Sequence, residues 1–169
     1  MTETSMAAHD DAYRRVDELL LSLVTRTEVR YGMLVDHNGL VLSSQGNEAG
    51  FLADTDDVMS GATVESIGTL IANNASATSA LAKFLGEDTF GEQLFHGKRG
   101  TLYVESVGIS ALLTLVFDRT VPTSKVKIYA KRTVQEINAM LEEIQQLPEP
   151  RLQDGFAQAG FALLDDLMG

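Results

Sequence analysis

The stretch from Ile109 to Phe117 constrains this chain more than any other. It is apolar at Ala111, Leu113, Leu115 and Phe117 and also at Leu112 and Val116, so both parities are occupied by apolar side chains. Successive side chains of a strand point to opposite faces, and a strand apolar at both parities belongs in the middle of a sheet. Ser110 and Thr114 interrupt the run. It falls well short of the ~18 residues that a membrane-spanning helix needs, and stable membrane insertion is not expected.

The elements around this strand follow from spacing. From Asp10 to Glu28, apolar residues at Tyr13, Val16, Leu20 and Leu23 keep helical intervals and predict one buried stripe. Residues 1–9 are small and polar, and a flexible N-terminus is expected there. Val29 to Asp36 reads as a strand with Val29, Tyr31, Met33 and Val35 on one face. Asn38-Gly39 predicts a tight hairpin, since both residues tolerate positive φ, with Leu40 to Ser43 returning.

Gln45 to Ala62 reads as a long loop. Thr63 is a candidate N-cap, and Glu65 complements the dipole of a helix running to about Leu85 and stopping at Gly86. Strands are expected at Glu92–His96, Thr101–Val107 and Ile109–Phe117. Pro122 then opens a helix whose buried stripe is Val126, Ala130, Val134, Ile137, Leu141 and Ile144, closed by Pro148 and Pro150. The predicted order is α-ββ-α-βββ-α. It describes an α/β domain, two-layered or three-layered, on a five-stranded and mainly antiparallel sheet. The domain is expected over residues 10–147, with a linker at 148–155. Residues 156–169 then supply a C-terminal amphipathic helix, apolar at Phe156, Phe161, Leu164, Leu167 and Met168.

Composition removes several function classes. Of 169 residues, 44% are hydrophobic and 22% charged, a globular balance, and the formal net charge of −11 disfavours nucleic acid and anionic lipid as partners. With no cysteine there is no disulfide, thiolate metal site or cysteine nucleophile, which suits a cytoplasmic protein. The first ten residues lack the basic and apolar regions of a signal peptide. His9, His37 and His96 are scattered, and three lone histidines read as surface residues. Gly86 to Gln93 has Walker-like glycine spacing, without the following Lys and Ser/Thr and in an acidic context. Asn74-Ala75-Ser76 is an accidental sequon in mid-helix. No catalytic residue, metal or cofactor is expected.

The element order, with Thr69 to Glu87 in the central helix and Gly100 to Val104 continuing through Leu112 to Asp118, is similar to the roadblock/longin-like family of small-GTPase regulators. The tail Leu163 to Leu167 resembles that of its bacterial members. The resemblance implies a homodimer whose two sheets join into one, with the central helices paired on top. It implies a bacterial Ras-like GTPase of the MglA type as partner, bound by two regulator chains. GTP hydrolysis would be stimulated, and nucleotide exchange promoted, without a donated arginine finger. It further implies a cytoplasmic site of action, the cell poles included, in polarity and motility. A dimeric scaffold that only localises partners is the alternative.

Within the central helix, Gly68, Ala72, Ser76 and Ala80 recur every fourth residue. Two readings stand side by side: a docking strip for a second chain or the GTPase, or close packing on the helix's own sheet. Bulk for the core would then come from Ile67, Leu70, Ile71, Leu81, Phe84 and Leu85, with Asn73, Asn74 and Lys83 at the rim. In the tail, Phe161, Leu164 and Leu167 form the candidate partner-binding face, against a reading in which the tail folds back on its own domain or stays disordered. Lys98, Arg99, Arg119, Lys125, Lys127, Lys131 and Arg132 gather seven of the thirteen basic residues between positions 98 and 132. They read as a solvated helix face or as a positive surface for an acidic partner. Arg119 is the one arginine positioned to act in trans, a role the resemblance argues against.

Overall fold

The computed structural model describes residues 2–46 and 64–148. Within them run α1 (Thr2–Thr27), β1 (Tyr31–Asp36), β2 (Val41–Gly46), α2 (Val64–Lys83), β3 (Glu92–His96), β4 (Thr101–Val107), β5 (Ala111–Phe117) and α3 (Thr123–Gln146). The five strands form one sheet in the order β2-β1-β5-β4-β3, and every pair is antiparallel. β5 lies at the centre, as its two apolar faces require.

Each face of the sheet has its own core. Val16, Leu20 and Leu23 of α1 meet Val126, Ala130 and Ile137 of α3 over Leu34, Tyr103, Leu113, Leu115 and Phe117. On the opposite face, Ile67, Ile71 and Ala75 of α2 cover Tyr31, Met33, Val35, Val104 and Leu112. The domain is therefore three-layered, and the alternation along β5 is what divides Leu113 and Leu115 from Leu112. α1 and α3 lie antiparallel, joined by the Arg15–Glu143 and Lys125–Glu28 ion pairs at 3.7 and 3.6 Å.

Three local expectations are corrected. The helix begins at Thr2, not Asp10, so residues 2–9 are not a loose segment. Met6, Ala7 and Ala8 favour helix, and Ser5 Oγ donates to the Pro148 carbonyl at 2.8 Å while His9 Nε2 lies 3.3 Å from the same oxygen. β1 starts at Tyr31, because the reversal out of α1 places Glu28 at a φ of 59° and sends Val29 into the core shared by α1 and α3. The connection between the strands has four residues, His37 to Leu40, and among them only Gly39 takes positive φ, 89°. Asp36 Oδ1 accepts from the backbone N–H groups of Asn38 and Leu40 at 2.8 and 2.9 Å, which supplies the turn that a two-residue loop would otherwise make. The expected N-cap Thr63, the linker and the tail helix lie outside the described residues.

Candidate functional site

α2 ends in a Schellman motif. Gly86 at a φ of 77° lets Glu87 N–H donate to Ala82 O and Gly86 N–H to Lys83 O, both at 3.1 Å. The Walker-like segment is thus a helix stop leading into a strand, the reverse of a phosphate loop, which opens a helix.

The four small residues of α2 do not share one face. Steps of four residues on a 3.6-residue helix advance about 40° each, so the series spirals outward. Gly68 and Ala72 are buried, whereas Ser76 and Ala80 are exposed, as is Asn73. Gly68 packs on the chain's own hairpin: a Cβ there would lie 2.8 Å from Gly39 O and 3.0 Å from Val41 Cγ2. Gly68, Ala72, Ala75 and Ala82 bring α2 close to the sheet, and that closeness leaves little room for bulk. Ile67 and Ile71 fit underneath. Leu70, Leu81, Phe84 and Leu85, expected in the core, are instead exposed at 64%, 59%, 89% and 72%.

Leu70, Ala77 and Leu81 are spaced 7 and 4 apart, which puts them along one flank of α2, and Phe84 follows in the turn just past its last residue. That flank overhangs β3: Asn74 Nδ2 donates to Gln93 Oε1 at 3.3 Å, and Gln93 Nε2 donates to Thr78 Oγ1 at 2.9 Å. β3 is an edge strand, paired with β4 alone among the described residues, and Phe95 on it is exposed. An open strand edge and a strip of exposed apolar side chains on the neighbouring helix are features that association surfaces commonly share.

The other flank of α2 borders a hollow of about 380 Å³. Ala72, Ser76 and Ser79 form one wall, and Ser106, Ile109 and Leu112 the other. Ile109, 92% exposed, stands at the β4–β5 tip. The tip is braced from the opposite layer. Gly108, at a φ of 56°, abuts the Asn138 side chain, and Gln145 Nε2 donates to Ser110 Oγ at 2.8 Å.

Much of the basic cluster is occupied within the domain. Lys127 and Lys131 reach Glu92 at 2.7 and 3.4 Å, and Lys131 lies 3.9 Å from Glu105. The hydrogen bond from Lys127 holds the Glu92 carboxyl below its ordinary pKa. Glu105 is buried and accepts from the Tyr103 hydroxyl, whose own pKa is raised by burial and then by Glu105. Arg119 donates to Gly97 O at 3.2 Å, bridging to the β3–β4 turn. Among the described residues no group of three or more His, Asp or Glu side chains could hold a metal ion, and no helix is long and apolar enough to cross a membrane.

A family model, the Roadblock/LC7 domain, matches residues 15–117. The chain belongs to the Roadblock/LC7 family. Its structure is similar to a solved MglB with a tetrameric arrangement, at 38% identity and a TM-score of 0.68, over 79% of this chain and 92% of that one. It is equally similar to the gliding protein MglB of Thermus thermophilus, at 38% identity and a TM-score of 0.67, over 78% and 92%. Myxococcus xanthus MglB matches at 25% identity and a TM-score of 0.68, over 78% and 91%. Comparison with functionally curated proteins gave no match.

Within this roadblock domain the strip Leu70, Ala77, Leu81 and Phe84 and the tip residue Ile109 escaped the sequence reading. The strip was visible in principle, because its spacing is helical. What hid it was the assumption that large apolar residues face the core. Phe161, Leu164 and Leu167 lie outside the described residues.

Proposed function

We propose that this chain regulates a bacterial Ras-like GTPase of the MglA type and has no active site of its own. It acts in the cytoplasm as a homodimer, two chains to one GTPase, and stimulates GTP hydrolysis and nucleotide exchange in cell polarity or motility. The observation that carries this reading is the 38% identity to MglB structures over 92% of their length. The surface of α2 supports it. The strip Leu70, Ala77, Leu81 and Phe84 beside the β3 edge suits pairing with a second chain, which would extend the sheet and bring the two α2 helices together. The rim formed by Asn73, Ser76 and Ala80, with Gly68 and Ala72 beneath, then faces the GTPase. Phe161, Leu164 and Leu167 would supply a second contact. Reshaping of the GTPase's own switch elements replaces an arginine finger, consistent with Arg119 being engaged at Gly97.

GTP turnover by the MglA-type GTPase of the same cell, with and without excess of this protein at fixed salt, tests the reading. Strong stimulation supports it. A stable complex without stimulation would transfer the protein to the scaffold class, and absence of any complex would remove this GTPase as its partner.

A further inference from the structure

The helical layer formed by α1 and α3 carries a second groove, on the side of the sheet away from α2. An open hollow of about 650 Å³ is lined by Lys125, Ile128, Tyr129 and Arg132 near the start of α3. It adjoins one of about 260 Å³ between α3 and the last turns of α1, which shares Tyr129 and Arg132 and adds Leu19 and Arg26. Ile128 is 69% exposed. The upper hollow is the more apolar of the two, through Pro122, Ile128 and Tyr129, while the lower one is mainly polar, and three cations, Lys125, Arg132 and Arg26, line the pair. Glu136 borders the lower hollow, and Lys125 is shared with Glu28 at 3.6 Å.

The chain itself contains a segment of matching chemistry. After Arg151 there is no basic residue, while Asp154, Asp165 and Asp166 alternate with Phe156, Phe161, Leu163, Leu164, Leu167 and Met168. Length matches as well. From Pro148 back to Arg132 is 16 helical positions, roughly 24 Å at 1.5 Å each. The seven residues 149–155 span up to about 23 Å when extended. The apolar part of the segment therefore begins within reach of the groove, and its acidic pair comes to the cationic end.

We infer that the groove between α1 and α3 is the docking site for residues 156–168 of the same chain. Asp165 and Asp166 meet Lys125 and Arg132, and Phe161 and Leu164 cover Ile128 and Tyr129. Docked there, the segment is withheld from the GTPase until the partner competes for it. That regulatory consequence rests on the proposed function, whereas the docking itself does not.

The experiment uses the full chain alone. Because there are no native cysteines, Ile128→Cys with Leu164→Cys makes the sole thiol pair in each chain. Bridging within one chain is expected at least about tenfold faster than in a control pairing Leu164→Cys with Thr69→Cys on the α2 layer, owing to the raised local concentration. Adding Lys125→Glu and Arg132→Glu removes the advantage, and further adding Asp165→Lys and Asp166→Lys restores it. Equal rates for the two pairs, or indifference to charge reversal, overturn the inference. So does bridging found only between chains, which would assign the groove to a neighbouring copy. GTP turnover is not read, so failure here leaves the GTPase proposal standing.

Discussion

Gly68 of α2 and Gly39 of the β1–β2 turn face each other so closely that a methyl group on Gly68 would lie 2.8 Å from the Gly39 carbonyl oxygen. The approach is reciprocal, since a Cβ on Gly39 would lie 2.9 Å from Thr69 Cα. Two effects oppose each other in Gly68→Ala. Helix propensity favours alanine by about 1 kcal/mol, while overpacking against backbone costs about 1–3 kcal/mol. Backbone cannot rotate away as a side-chain end can, so a net loss of about 1 kcal/mol is expected. Urea denaturation of the two proteins measures it, and a gain in stability would contradict the close approach.

The strip on α2 makes a prediction about assembly. Leu81→Asp and Phe84→Asp alter exposed positions, so the fold should survive while self-association weakens by about 2 kcal/mol or more, the scale of a buried interface anchor. Sedimentation velocity over a concentration series, beside a circular dichroism melt, separates these outcomes. Unchanged association would exclude the strip as the contact between chains.

Docking on the other flank is tested at Ser76 and Ile109. Ser76→Tyr fills the hollow from the helix side, and Ile109→Asp places a charge at its exposed wall. Each should lower GTPase stimulation about tenfold, equivalent to about 1.4 kcal/mol, with little change in melting temperature. Turnover assays at matched protein concentration decide the matter.

Acid should loosen the contact between α3 and β3. Glu92 has a lowered folded pKa, principally through its hydrogen bond from Lys127. A lowered carboxyl pKa contributes stability above the unfolded value, here the ordinary 4.5, and that contribution is lost as pH falls through the lower folded value. Glu92→Gln should therefore be less stable than the parent at neutral pH, and the difference should close below pH 4.5. Parallel denaturation at several pH values checks the sign.

Removal of the C-terminal segment before Phe156 bears on the division of labour. Loss of exchange stimulation with hydrolysis stimulation retained is expected. If both activities were untouched, the roles assigned to Phe161, Leu164 and Leu167 would be withdrawn.

The sequence made the fold readable where periodicity was strong. The central place of β5 came from apolar residues at both parities, and the stripes of α1 and α3 came from intervals of three and four, except that Ala12 is buried where Tyr13 was expected and Tyr13 is exposed. It was less legible where tertiary distance decides the outcome. Which side of α2 faces the sheet depends on how near the helix lies, and that distance is set by Gly68 against Gly39, partners separated in sequence by a loop. Spacing shows that small residues recur; it does not show whether the neighbour they admit belongs to the same chain. The basic residues pose the same problem, because Lys127, Lys131, Glu92 and Glu105 become neighbours only when α3 crosses β3 and β4.

The brace at the β4–β5 tip has a mechanical consequence. Ile109 borders the hollow beside α2, yet the residues that hold its turn, Asn138 and Gln145, belong to α3 on the far side of the sheet. The tip therefore works as a strut running through the thickness of the domain. Displacement of Ile109 would strain the Gln145–Ser110 hydrogen bond on the far side of the sheet. The two outer layers, which share no core, are in this way coupled at one corner.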